Sequence, residues 1–548
     1  MNASAAKPWL ATYAANNIPA EINPDAYRSV NDMLESAMKK FADKPAFRCF
    51  GQTLTYADVD RLSRNFAAWL QAKGVKKGDR IAVMTPNLLA FPIAFLGVIR
   101  AGAAQANVNP LYTPRELEHQ LRDSGCETIV IFSGVTATLA EIIGNTKVKN
   151  VVTIDLGDGG AAPIPTPAVD ARLSGTVRFA DALEAGGKLP YTPVSMSGQD
   201  LLFLQYTGGT TGVSKGAALN HRNLVANVEQ FRAFMPNVLR EGEEVIVTAL
   251  PLYHIFALMV NFLTYFAVGA ENWLVTNPRD FDKFIDVMKA ARPTVFTGVN
   301  TLFAGLTMHP RTKEIDFSRL HLGAGGGTAV VAAVSEKWKA ITGAHIKEGY
   351  GLSETSPVVS FNPASVQDFS GTTGLPLPST DVILLDAEDK IAGIGETGEV
   401  CVKGPQVMNG YWQQPEANKT AFTKDGYFRT GDIGVFDDQG FLKIVDRKKD
   451  MIIVSGFNVY PNEVEAVATA LNGVAECACV GAPDEKTGEA VRLFVVKAPG
   501  ASITEEDVTA HCRKEMTAYK VPKFVRFVDS LPKSGVGKIL RKDLRGVS

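Results

Sequence analysis

Three observations predict an α/β fold with a large N-terminal part and a small C-terminal part. Short apolar runs rich in β-branched residues alternate with helical stretches between residues 79 and 157, and again between 245 and 327. That alternation is the pattern of a mainly parallel sheet covered by helices. A chain of 548 residues is too long for one ordinary core. The composition then changes near residue 446, where DRKKD (446–450) makes a charged break after the apolar run FLKIV (441–445). A stretch of roughly domain size follows the break, so domains are expected at 1–446 and 447–548.

The opening stretch, MNASAAKPWLATYAANNIPAEI, has no basic start followed by an apolar run, so no signal peptide is expected. DRIAVM (79–84), ETIVIF (127–132) and VVTIDL (151–156) read as strands, and LLAFPIAFLGVIRAGA (88–103) reads as a helix between the first two. Residues 157–200, rich in Gly, Ala, Pro and Ser, read as an exposed excursion with little regular structure. LLFLQY (201–206), VIVTAL (245–250), NWLVTN (272–277), TVFTGV (294–299) and LHLGAGGG (320–327) continue the strand series. Val245 to Ala270 carries no charged residue, but Pro251, His254 and Asn261 interrupt it. It reads as a buried loop and core helix rather than a membrane span.

Lys and Arg total 56 against 58 acids, a balance that gives no support to a nucleic-acid partner. The basic residues gather at the end: from Arg513 onward ten Lys or Arg face three acids, a net of plus seven. On charge alone that tail is equally a solvated face or a surface drawn to phosphates. The six cysteines form no CxxC pair. Cys477 and Cys479 would share one face of a strand, which suits core packing better than a metal site, and free thiols fit a reducing compartment.

Four segments carry chemistry. TGGTTGVSKGA (207–217) follows a strand-like run, and its glycines 208, 209, 212 and 216 let backbone N–H groups approach an anion. Thr207, Thr210, Thr211 and Ser214 add hydroxyls and Lys215 adds charge, although no Walker A spacing is present. The competing reading is a Gly-rich turn. GYGLSET (349–355) offers Tyr350 as a stacking face and Glu354 as a hard oxygen for Mg²⁺, against which a lone Glu is more often solvated surface. In YFRTGDIG (427–434), Asp432 is suited to accept hydrogen bonds from a ribose diol, and Arg447 to bind ribose or phosphate. The competing role for Asp432 is a turn-former. In LPKSGVGKILRKDLR (531–545), Lys538 sits in a Gly-flanked loop before an apparent helix, placed to neutralise charge growing on an attacked phosphate.

These four segments, in this order and at these separations, resemble the adenylate-forming superfamily of acyl- and aryl-CoA synthetases, peptide-synthetase adenylation domains and beetle luciferases. The resemblance runs from about residue 28 to the end of the chain. Within that superfamily DGYFRTGDIGVFDDQGFLKIVDRKK (425–449), LPLYHIFAL (250–258), TNPRDF (276–281), VKGPQVMNGYW (402–412) and SGFNVYPNEVE (455–465) resemble bacterial long-chain fatty-acid–CoA ligases. Asp425, Tyr427 and Arg429 depart from the more usual Asn, Trp and His of that signature.

The resemblance implies a large N-terminal domain of α/β subdomains with a β-barrel-like part, and a small mobile α+β C-terminal domain. It implies that the enzyme activates a fatty acid with ATP to acyl-AMP and pyrophosphate, then passes the acyl group to the coenzyme A thiol. Thr207 and Glu354 match positions holding Mg²⁺ and phosphate, and Thr207 to Gly212 (Gly208, Gly209, Thr210, Thr211) with Lys215 match the phosphate-binding loop. Gly325, Gly326 and Gly327 match the strand end against adenine. Tyr350 matches the residue on its other face, with Gly351 and Ser353 beside it. Asp432 matches the ribose ligand and Arg447 a nucleotide contact. Lys449 matches the hinge, Lys538 the catalytic lysine of adenylation, and His254 a residue beside the acyl group. An acyl tunnel is expected along 252–270, walled by Phe256, Leu258, Met259, Phe262, Leu263 and Phe266, although the same periodicity suits a core helix.

The expected partners are a fatty acid, ATP and coenzyme A, in the cytoplasm or peripherally on the inner face of the membrane. Monomer and homodimer stay open, as do medium-chain or aryl acids as substrate. A carrier-linked peptide-synthetase module is disfavoured because the sequence stops ten residues after Lys538. A luciferase-like oxidation has no support in the residues. A regulator without catalysis is disfavoured by the presence of Lys538, Glu354 and Asp432.

Overall fold

A computed structural model of the chain describes residues 7–207, 214–535 and 537–547. Two large sheets form the N-terminal part. The first has seven strands in the order Val177–Arg178, Asn150–Ile154, Thr128–Phe132, Arg80–Met84, Ala104–Asn107, Leu201–Thr207 and Lys215–Asn220. All its neighbours are parallel except the last two, which form an antiparallel pair. The second has nine strands, with Leu322–Gly325, Val295–Gly298, Val245–Thr248 and Glu271–Leu274 at its parallel centre.

Between the sheets lies the helix Ala90–Arg100, in which every residue is buried. A helix apolar on all sides has to be covered on all sides. Phe95 stacks on Phe203 of the first sheet at 5.3 Å and meets Phe262, which lies against the second, at 5.5 Å. Asn87 closes the joint with polar bonds. Its amide donates to the carbonyls of Thr248 and Leu250 at 3.1 and 2.9 Å, and its oxygen accepts from Leu252 N at 2.8 Å.

Local rules explain where elements begin and end. The helix Pro114–Ser124 starts with Pro at its first turn and a reciprocal Thr113/Glu116 capping box, and stops at Gly125 with φ +64°, as such signals dictate. Residues 157–200 are more ordered than expected, because a helix at Phe179–Gly186 lies within them. Phe179, Ala182, Leu183 and Gly186 make its buried stripe, and their helical spacing was masked by a composition typical of loops. Val245 to Ala270 is indeed strand, loop and core helix, but Ala257–Thr264 is a π-helix. Among the described residues no helix is long and apolar enough to cross a membrane.

The part expected to be barrel-like is a four-stranded antiparallel sheet, Asp381–Leu385, Gly398–Lys403, Phe428–Phe436 and Leu442–Arg447. Its last strand runs two residues into the charged break. Beyond it a five-stranded sheet, with Gly488–Lys497 paired to Ile452–Val454, Val474–Asp484 and Phe524–Phe527, packs on the helices Pro461–Thr469 and Glu505–Glu515 around its own core. Cys477 and Cys479 are buried in that core, as their spacing predicted. The helix expected after Lys538 is a single 3-10 turn, Arg541–Asp543, too short for an isolated helix to extend.

Phe262 is fully buried against Phe47, Phe95 and Phe266. Phe262→Ala should destabilise the N-terminal part by about 3–5 kcal/mol, read as a lower denaturant midpoint for the tryptophan fluorescence transition, since all five tryptophans precede residue 446.

Candidate active site

The site gathers where strands of both large sheets end at their carboxyl edges, the usual ligand crevice of α/β sheets. Thr207 ends the strand Leu201–Thr207 and pairs with Lys215 across the hairpin. The Thr207 carbonyl accepts from Ser214 Oγ at 2.5 Å, and His119 Nε2 lies 2.8 Å from the Ser214 carbonyl. Gly208, Gly209, Thr210, Thr211 and Gly212 lie outside the described residues. Both strands of this hairpin pack on the turn Ser353–Thr355, which carries Glu354.

Glu354 is buried rather than solvated. Tyr411 Oη donates to its Oε1 at 2.8 Å, and the Lys215 ammonium stands 5.2 Å over the Tyr411 ring. Burial pushes the Glu354 carboxyl up, while the Tyr411 hydroxyl and Arg447 pull it down. Tyr411 thus joins two predicted site residues, and the sequence reading gave it no role. Its signal was the aromatic directly after the Asn-Gly pair of VKGPQVMNGYW.

The second wall is built from glycine. Gly325 ends the strand Leu322–Gly325. A Cβ on Gly326 would lie 3.3 Å from the Gly349 carbonyl and from Phe256, and one on Gly351 would collide with the Pro357 carbonyl at 2.0 Å. Half-buried Tyr350 donates its hydroxyl to Asp432 Oδ2 at 2.6 Å. Asp432 is not a turn-former. It sits inside the strand Phe428–Phe436, opposite Arg447, whose Nε is 3.5 Å from Oδ1. Burial pushes the Asp432 carboxyl up, and Arg447, Tyr350 and Lys538 oppose the shift. Arg429, one of the departures from the usual signature, pairs with Glu399 at 3.0 Å and Asp389 at 2.6 Å.

Lys538 closes the site from the C-terminal tail. A Cβ on Gly327 would sit 3.2 Å from Lys538 Cε. Just before Lys538 in the chain, Gly537 offers its carbonyl to Thr301 Oγ1 at 3.5 Å and Gly535 lies against Tyr253 and Asn109. Burial, then Arg447, lowers the ammonium to about 8, and Asp432 and Glu354 act to raise it. His254 is pushed down to about 3 by burial and by Lys538, so its imidazole is neutral. Its Nδ1 accepts from Phe256 N at 3.3 Å. Lys449 lies two residues past Arg447 and is lowered to about 8 by burial and by Arg447. Of the expected acyl wall, Phe256 is half-buried and approaches Gly326. Leu258, Met259, Phe262, Leu263 and Phe266 are packed in the core, so the core reading describes them.

Among the described residues no three His, Cys, Asp or Glu side chains cluster as metal ligands. Glu354 carries a carboxylate and Thr207 a hydroxyl, oxygen groups of the kind that Mg²⁺ takes in sparse protein sets completed by phosphates.

The chain matches the AMP-binding enzyme family over residues 34–412 and the AMP-binding enzyme C-terminal domain over residues 463–538. It is 49% identical to the long-chain-fatty-acid–CoA ligase of Escherichia coli O6:H1, over 98% of both chains. Its fold superimposes on an anthranilate CoA ligase in complex with anthranoyl-AMP with a TM-score of 0.85 at 24% identity, over 97% of this chain and 98% of that one. It superimposes on ATP-bound MatB from Rhodopseudomonas palustris with a TM-score of 0.83 at 31% identity, over 94% and 98%.

Lys538 should react with an amine-selective label along a pH curve centred near 8, whereas solvated lysines follow one near 10.4. Because Asp432 raises the Lys538 pKa, Asp432→Asn should move that midpoint lower, as read by peptide mapping of labelled protein. An unmoved midpoint would separate the two groups.

Proposed function

The chain belongs to the AMP-binding enzyme family, and from that premise we propose that it joins a long-chain fatty acid to coenzyme A through an acyl-adenylate. The observation that carries the chemistry is the Lys538 ammonium, set against Gly327 and within electrostatic reach of Asp432, Glu354 and Arg447. The acid is argued from the 49% identity, over nearly the whole chain, to a relative named as a long-chain-fatty-acid–CoA ligase.

A carboxylate is a poor acyl donor because its leaving group would be an oxide. In the proposed first step a carboxylate oxygen attacks the α-phosphorus of ATP, pyrophosphate leaves, and a mixed anhydride remains. The protein has little covalent work to do, so positioning and charge neutralisation supply the rate. Tyr350 and the glycines 325–327 flank the base, and Asp432 takes the ribose diol. Lys215 and Thr207 meet the phosphates. Lys538 reaches the oxygens where acid and α-phosphate meet. Glu354 and Thr207 would hold Mg²⁺, which neutralises phosphate charge when bound. In the second step the coenzyme A thiol attacks the acyl carbon, AMP leaves, and the thiol proton passes to solvent.

Residues 447–548 are taken as a domain that turns about Lys449 between the steps, as the resemblance to adenylate-forming enzymes implies, so that a different face completes the site for the thiol. The six cysteines are free and buried, in keeping with a reducing cytoplasm.

Thioester formation should be measured across acids from acetate to oleate, with benzoate included. The highest kcat/KM is expected among long chains, and a preference for benzoate or acetate would sink the substrate assignment. Lys538→Ala should abolish acyl-adenylate formation, followed as pyrophosphate release, yet still convert supplied acyl-adenylate to thioester. Equal loss in both half-reactions would refute the two-step division of labour.

A further inference from the structure

Asp446 has no role in the chemistry above, yet its side chain is fully buried among charges. It stands one residue before Arg447 on the strand Leu442–Arg447, opposite Ile433 and next to the Asp432–Arg447 pair. Its Oδ1 accepts from Arg541 Nη1 at 3.1 Å and from Arg447 N at 2.7 Å, and its Oδ2 accepts from Asn462 N at 2.7 Å. Asn462 Nδ2 also donates to the Val445 carbonyl at 3.1 Å.

Arg541 lies three residues beyond Lys538, at the base of a closed loop. The Lys538 carbonyl accepts from Ser534 N at 2.7 Å, its own N–H donates to Ser534 Oγ at 3.1 Å, and Leu540 N donates to the Pro532 carbonyl at 2.8 Å. Lys533 and Ile539 pair across the loop. A loop braced in this way moves with its base. The remaining arms of Arg541 reach Glu465 at 2.9 and 2.7 Å. One helical turn further on, Arg545 donates to the Lys449 carbonyl at 3.1 Å and pairs with Asp450. The tail therefore lies across the segment 446–450.

These contacts divide at Lys449. Glu465, Asn462, Asp450 and Arg541 all come after it in the chain, so a rotation about Lys449 carries them together. Asp446 and Val445 precede it. Such a rotation parts Asp446 from Arg541 and Asn462, while Arg541 keeps Glu465. The loss falls on the buried carboxylate, which must find water or another donor, and a buried charge stripped of its partner is strongly disfavoured.

Resting on the proposed two-step reaction, we infer that Asp446 is a positioning residue for adenylation: through Arg541 and Asn462 it latches the C-terminal part in the orientation that delivers Lys538. Releasing the latch is a condition of the second step. The device acts on orientation rather than on the reacting atoms. Its removal therefore weakens the first half-reaction alone.

The test uses the full chain as Asp446→Asn, which keeps the shape and one acceptor but removes the charge, and Arg541→Lys, which keeps the charge toward Glu465 but loses the fork. Pyrophosphate release from ATP and fatty acid is measured beside thioester formation from supplied acyl-adenylate. Adenylation kcat should fall about 10- to 100-fold, as a small misplacement of a reacting group costs, with the KM for ATP held and thioester formation equal to wild type or faster. Equal loss in both half-reactions, or loss in neither, overturns the latch. If Asp446→Asn melts below the assay temperature, the Arg541→Lys result decides by the same criterion. Wild type is the control for the parent reading: if it releases no pyrophosphate with any acid, the ligase assignment fails, whereas two active wild-type half-reactions with equal variant losses sink only the latch.

Discussion

The proposed chemistry depends on keeping one ammonium group charged where water is scarce. Desolvation opposes that charge, and Arg447 opposes it further. Asp432 and Glu354 act in the other direction, through space. Had either carboxylate closed a tight pair with Lys538, the lysine would be occupied before any phosphate arrived. Instead Asp432 is engaged by Tyr350 and Arg447, and Glu354 by Tyr411. Tyrosine hydroxyls hold both carboxylates in place, and Arg447, 3.5 Å away, offsets part of the charge of Asp432.

The same constraint explains the backbone. Lys538 approaches closely because position 327 carries no side chain, and the wall behind it is thin because 326 and 351 carry none either. The lysine comes from the opposite end of the chain and depends on the braced loop 533–539 to arrive with a defined direction. A long flexible side chain on a slack loop would lose much of its effect to entropy.

Much of this was legible in the sequence. The parallel strands announced themselves by β-branched runs, and the boundaries found are close to those expected. Glycine clusters marked the close approaches, and the four segments marked the pocket. What escaped was whatever depends on long-range pairing. Glu354 and Asp432 are expected site residues, yet the burial that dismisses their competing readings, a solvated acid and a turn, is decided by partners 57 and 82 residues away. Tyr411 had no local signal beyond an aromatic after Asn-Gly. Arg541 looked like one basic residue in a basic tail until Asp446 and Glu465 were seen beside it. The helix Phe179–Gly186 was hidden by composition. The π-helix was hidden because period alone does not separate i→i+5 from i→i+4 bonding.

That π-helix has a bearing on how protein frames of this kind change length. Insertions and deletions normally belong to surface loops, where no packing is disturbed. Here Ala257–Thr264 winds wider than an α-helix, so about one spare residue per turn is stored inside the core. Removing a single residue would let the segment tighten into an α-helical turn that absorbs the deletion, so the side chains downstream keep their register. Asn261, donating to Thr248 and accepting from Thr297, is the polar side chain held within that wider winding. A change of length can thus be taken up inside the core, with the outer surface of the molecule left as it is.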